Sequence, residues 1–179
     1  MGYDVTAFEP VTELVEAARA VAAPYPDSKV VCASLADLRL AVENGAGPLA
    51  PHVSGKEFDA IILGWTSFSY VWREQRVPLL QTLRVLAPRA PVLLSYLDAD
   101  TSPQGRLDRI RIWFRRALRI TGAPALAEPG DAFQIWMGFF QTLTPAEIRS
   151  LALRTGYRAI DASVSGTTPH ALLVPNQEG

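Results

Sequence analysis

The stretch FDAIILGWTSFSYV, from Phe58 to Val71, decides how this chain is read. It opens on an aromatic and an acid, continues as the apolar run AIIL, and stops at Gly64. A strand covered on both faces loses the polar alternation of a half-exposed one, so this pattern predicts a buried strand over 58–64 in a parallel sheet. Downstream, Leu79, Leu80, Leu83 and Leu86 share one face of a predicted helix over 75–86. Pro88 and Pro91 punctuate the chain, and PVLLSY over 91–96 is the next buried strand.

Upstream, 3–8 is short and rich in aromatic and β-branched residues, which predicts a strand. Pro10 follows, suited to a first helical turn where its missing N–H costs little. Leu14, Val15, Ala18, Val21 and Ala22 then recur at helical spacing until Pro24 and Pro26 end the helix. A second strand is predicted at 29–33 and a short helix at 35–43. NGAGPLAPHVSG over 44–55 has glycines, prolines and no periodicity, and reads as a loop.

Towards the C-terminus, 101–105 is a polar turn, 106–120 a basic amphipathic helix, 122–131 irregular, and 133–140 aromatic and extended. Thr144, Pro145 and Glu147 have the spacing of a capping box, and Gly156 is a natural stop for the helix they open. Two strands close the chain, at 157–164 and 170–174. No helix fits between them, so they pair as a hairpin. The alternation of strands and helices predicts an α/β fold, a mostly parallel sheet with a C-terminal antiparallel hairpin. The 179 residues suit one domain, 1–179, with the basic helical segment at about 101–131 inserted in it.

Composition narrows the function classes. A hydrophobic content of 49% supports a real core, and a net charge of −1 creates no global field for nucleic acid or membrane. The apolar stretch 60–72 is interrupted by Thr66, Ser67, Ser69 and Tyr70, short of the roughly 18 apolar residues of a membrane span. Cys32 is the single cysteine, so no disulfide can form within the chain, which suits a reducing, cytoplasmic setting. The first residues lack the basic and apolar regions of a signal peptide. His52, His170 and Cys32 have no metal-ligand spacing, so no metal is expected. GWTSF lacks the G-x-S-x-G pattern of a nucleophile elbow.

Three strand ends carry candidate chemistry, because ligands of doubly wound folds bind outside the carboxyl ends of strands. Glu9, before Pro10, could accept two hydrogen bonds from a ribose diol, or could simply mark helix entry. Ser34 and Leu35 offer a polar edge and an apolar face to a base such as adenine, or else a turn that starts a helix. Gly64 permits close backbone approach, Trp65 could wall a pocket, and Ser67, Ser69 and Tyr70 could touch a substrate. The alternative there is a serine-rich connection with a packed tryptophan.

Taken in order, these segments resemble class I, Rossmann-like S-adenosylmethionine-dependent methyltransferases. GYDVTAFEP resembles the family's second strand, VVCASLADL its third strand and adenine turn, and FDAIILGWTSFSYV its fourth strand. LLQTLRVLAPRAPVLLSY resembles the next helix and strand, and TPAEIRSLALRTGYRAIDA with PHALLVP the closing helix and strand pair. The resemblance implies S-adenosyl-L-methionine as cofactor, with Glu9 and Pro10 at its ribose, Ser34 and Leu35 at its adenine, and Gly64 and Trp65 along its inner edge. It implies methyl transfer to an acceptor touched by Ser67, Tyr70, Trp113 and Trp136, and marks out no catalytic base. Ser34 departs from the acid usual at its position. The family's first strand, glycine-rich loop and first helix, about 20–30 residues at average element lengths, have no counterpart before Gly2. The expectation is therefore a fold lacking its first strand and helix, truncated at the N-terminus and impaired in cofactor binding.

Six arginines and one acid lie between Arg106 and Arg119. They could meet an anionic substrate, RNA backbone or a membrane surface. A solvated lid helix whose arginines snorkel over the fold is the simpler reading. Two rival functions stay open: a non-catalytic methyltransferase-like module completed by a partner, and a nicotinamide-dependent dehydrogenase fragment, since a strand-ending acid also serves such sites.

Overall fold

The computed structural model describes residues 3–99, 131–134, 138–163 and 169–176. They fall into two compact units, Met1–Phe58 and Asp59–Gly179.

The first unit is a parallel strand pair with helices. β1 (Thr6–Glu9) pairs in parallel with β2 (Lys29–Cys32), Glu9 standing opposite Cys32. Helix α1 (Thr12–Ala22) connects them, as a parallel pair requires. Its N-cap is Val11, so Pro10 lies ahead of the helix instead of inside its first turn. Val11 has no capping side chain of its own; its N–H donates to Glu9 Oε1 at 3.0 Å. Helix α2 (Leu35–Asn44) ends at Gly45, whose φ of 62° supplies the left-handed cap. The region expected to be a loop contains a short helix, α3 (Ala50–Val53). Four residues are too few for a periodic pattern, and burial of Leu49, Ala50 and Val53 holds this turn together.

The second unit is built on a four-stranded sheet of order β3-β4-β8-β7. β3 (Ile61–Leu63) and β4 (Val92–Ser95) are parallel, joined through a 3-10 turn (Ser67–Tyr70) and α4 (Arg73–Leu86). Helix α5 (Pro145–Arg154) leads into β7 (Tyr157–Ser163), which pairs antiparallel with β8 (His170–Pro175), the expected terminal hairpin. Thr144 and Glu147 form the expected capping box at α5. The segment expected to be extended over 133–140 is a second antiparallel pair, β5 (Asp131–Gln134) with β6 (Gly138–Gln141). Continuous aromatic character hid the break between these strands.

One face of the larger sheet is the core. Val92, Leu94, Ala171 and Leu173 are buried, as are Leu79, Leu80 and Leu83 of α4 and Ile148 and Ala152 of α5. The opposite face is open in part, with Ile62 70% and Leu93 37% exposed. β3 is the edge strand, pairing only with β4 among the described residues.

Candidate functional site

The carboxyl end of the β1–β2 pair brings Glu9, Pro10, Ser34 and Leu35 into one neighbourhood. The Ala33 N–H donates to the Glu9 carbonyl at 3.1 Å, which carries the strand register into the turn. Glu9 is half-buried, and its Oε1 accepts from Val11. Oε2 is left with acceptor capacity at the strand end, the chemistry a diol needs.

Ser34 is otherwise engaged. Its hydroxyl accepts from the Asp37 N–H at 3.3 Å and donates to Asp37 Oδ2 at 2.7 Å, while its N–H donates to the same oxygen at 2.8 Å. These bonds, the backbone one foremost, hold the Asp37 carboxyl below its ordinary range. The helix-starting reading of this turn describes the hydroxyl; Leu35, half-buried, is the apolar member of the pair.

At the carboxyl end of β3 the backbone takes an uncommon path. Trp65 and Thr66 both have positive φ, 51° and 58°. Left-handed conformations cost non-glycine residues free energy and persist only where the surroundings enforce them. The enforcement comes from β4: the Thr66 N–H donates to Ser95 Oγ at 2.7 Å, and that hydroxyl donates to the Leu63 carbonyl at 3.3 Å. Thr66 and Ser95 are buried, whereas Trp65 is 96% exposed. A Cβ added at Gly64 would meet nothing within 4 Å, so the space beside this turn is open. Trp65 thus stands free on a fixed turn.

The following 3-10 turn anchors the site's floor. Ser69 is buried and its Oγ accepts from the Leu97 N–H at 2.8 Å. Ser67 Oγ is buried with no hydrogen-bond partner among the described residues. Tyr70 meets Phe140 edge-on, with ring centroids 6.5 Å apart. Trp72 stacks on Phe139 at 4.5 Å and 14°.

Behind these rings lies a buried polar chain. Arg76 donates from Nε to the Val71 carbonyl at 3.1 Å and from Nη2 to Gln141 Oε1 at 2.8 Å. Gln141 Nε2 donates to Asp131 Oδ1 at 2.6 Å, and Arg73 Nη2 lies 3.6 Å from the same oxygen. Burial, with Arg73 adding to it, lowers the Arg76 guanidinium to about 10, still charged at neutral pH. The chain ties β5 and β6 to the start of α4.

Sequence reasoning reached Gly64, Trp65, Ser67 and Tyr70 but missed Thr66, Ser95, Trp72, Phe139 and the Arg76–Gln141 pair. Ser95 left a signal, a hydroxyl in the otherwise apolar strand VLLSY. Trp113, Trp136 and the arginines from Arg106 to Arg119 lie outside the described residues.

No family model matches the chain, and no curated protein matches it. Solved structures do. The 1,6-didemethyltoxoflavin-N1-methyltransferase of Burkholderia thailandensis, solved with bound 1,6-didemethyltoxoflavin and S-adenosylhomocysteine, superposes with a TM-score of 0.55 at 11% identity, covering 97% of this chain and 61% of that one. The magnesium protoporphyrin IX methyltransferase of Synechocystis, solved with S-adenosylhomocysteine, gives 0.55 at 15% identity over 98% of this chain and 65% of its own. A SAM-dependent methyltransferase of Methanosarcina mazei gives 0.56 at 17% identity, over 97% and 81%. This chain has the class I methyltransferase fold. It spans 61% and 65% of the length of the first two of these structures. Glu9 ends β1 in the first unit and Gly64 follows β3 in the second, each strand having a parallel partner.

Proposed function

We propose that this chain serves methyl transfer from S-adenosyl-L-methionine to an acceptor held at the carboxyl end of β3. The observation that carries the reading is the superposition of 97% or more of the chain on three methyltransferases. When bound, the cofactor's sulfonium would supply an activated methyl group. What this chain contributes is proximity and orientation. Glu9 Oε2 accepts from the ribose hydroxyls, with Pro10 next to it in the chain. Leu35 covers the adenine face, and the turn at Ser34 contributes backbone groups in place of its committed hydroxyl. Gly64 leaves room for the cofactor's inner edge, with Trp65 beside it. Ser67 and Tyr70 face the acceptor, with Trp113 and Trp136 as further contacts. Free, exposed Cys32 fits a reducing cytoplasm.

A second reading, a non-catalytic module completed by a partner strand, draws support from the open edge of β3. Calorimetric titration of S-adenosylhomocysteine into this chain, and into a form extended by the codons upstream of Met1, separates the two. Binding by either form, weakened at least about tenfold by Glu9→Ala, as loss of a charge-assisted hydrogen bond predicts, supports methyl transfer. Binding by neither form overturns it, and a rise in NADH fluorescence with no response to S-adenosylhomocysteine would turn the reading to a dehydrogenase.

A further inference from the structure

Five aromatic side chains are prominently exposed among the described residues: Tyr3, Tyr25, Trp65, Tyr70 and Trp72. Three of the five fall within the eight residues 65–72, at the carboxyl end of β3. Exposed indoles are costly to leave in water, and a cluster of them beside open space marks a contact surface.

The geometry around Trp72 is specific. One face of its indole is covered by Phe139, with centroids 4.5 Å apart and the planes within 14°. Yet Trp72 remains 49% exposed. A ring covered on one face and still half exposed keeps its second face available. Tyr70, 40% exposed, stands two residues away, braced edge-on against Phe140. Neither ring rests on a loose support. The Arg76–Gln141–Asp131 chain locks β6, and with it Phe139 and Phe140, to the first turn of α4.

A pre-formed stack with one open face selects for a flat π system, because offset stacking adds about 0.5–1.5 kcal/mol beyond area burial. It offers nothing comparable to a peptide backbone. The balance of 17 basic against 18 acidic residues gives no field to draw in a polyanion. We infer that Trp72, on its Phe139 support, is a stacking platform for a planar heteroaromatic small molecule, the methyl acceptor. The inference rests on the methyl-transfer reading for the word acceptor alone; the platform itself is a binding claim.

Lumichrome, a flat uncharged heteroaromatic, is the probe. Its titration into the full chain is followed by calorimetry and by quenching of its own fluorescence, with S-adenosylhomocysteine titrated separately. Saturable binding is expected. Trp72→Leu should weaken it at least about tenfold while Trp72→Phe stays within about threefold, since a stacked ring is worth about 1–3 kcal/mol. Phe139→Leu should weaken it by a smaller factor. Equal affinity in wild type and Trp72→Leu would overturn the platform, as would tighter binding of a short oligoadenylate than of lumichrome. Lumichrome binding, with S-adenosylhomocysteine bound by neither this chain nor its extended form, keeps the platform and removes the methyl-transfer reading. The converse removes the platform alone.

Discussion

Ser95 Oγ accepts the Thr66 N–H at 2.7 Å across 29 residues of sequence, and so holds the turn that presents Trp65. Removing this hydroxyl leaves a buried N–H unpaired inside a backbone segment already in the left-handed region. Ser95→Ala is expected to cost about 1–3 kcal/mol, measured by urea unfolding. It should also relax Trp65, seen as faster acrylamide quenching or a shifted tryptophan emission. An unchanged unfolding midpoint would mean that Thr66 keeps its conformation without the serine.

Arg76 and Gln141 are expected to respond asymmetrically. Gln141→Leu strips a partner from a buried cation, and losing a hydrogen bond to a charged group costs about 1.5–3 kcal/mol. Arg76→Met removes the charge with its desolvation cost and retains apolar length, so it should destabilise less. Denaturant midpoints of the two variants give the comparison directly, and a larger loss in Arg76→Met would mean that the charge itself stabilises this corner.

Tyr157 sets an alkaline limit. Burial pushes its hydroxyl from 10.0 up to about 12, with Arg84 opposing. The folded chain keeps this proton over a range in which the unfolded chain has released it. The contribution of neutral Tyr157 is therefore full below pH 10 and is lost as pH climbs towards 12. Arg76 acts in the opposite sense, since its lowered pKa leaves the unfolded chain holding more protons above about 10. Tyr157→Phe isolates the first effect: wild type should lose on the order of 2 kcal/mol more than the variant between pH 10 and 12. At pH 7 the substitution should be neutral or stabilising, because the Tyr157 hydroxyl is buried with no partner among the described residues. Thermal melts across pH 7–12 check both parts.

Ser34→Ala tests whether that hydroxyl does anything beyond starting α2. Loss of the cap should lower the melting temperature by a few degrees. Affinity for S-adenosylhomocysteine, in whichever form of the chain binds it, should not change. A drop in affinity at unchanged stability would return the hydroxyl to the adenine contact.

Much of this molecule was legible in its amino-acid order. The parallel strands, α1, α2, α4 and α5, the Thr144–Glu147 capping box and the terminal hairpin all follow from short-range patterns: apolar period, cap spacing, proline and glycine. Such signals act between residues at most about four apart along a helix or two along a strand, so neighbours in sequence suffice to specify them. Glu9, Gly64, Trp65 and Tyr70 stand out the same way, as polar, small or aromatic residues at or after strand ends. Only the tertiary structure decided the rest. Ser95 meets Thr66, Arg76 meets Gln141 and Trp72 meets Phe139 across 29 to 67 residues, the last separation following from the residue numbers themselves. No local pattern encodes those meetings, because each depends on which strands pair and which faces they bury. The same holds for the conformation at Trp65 and Thr66, which their own side chains disfavour and a hydroxyl on the neighbouring strand imposes.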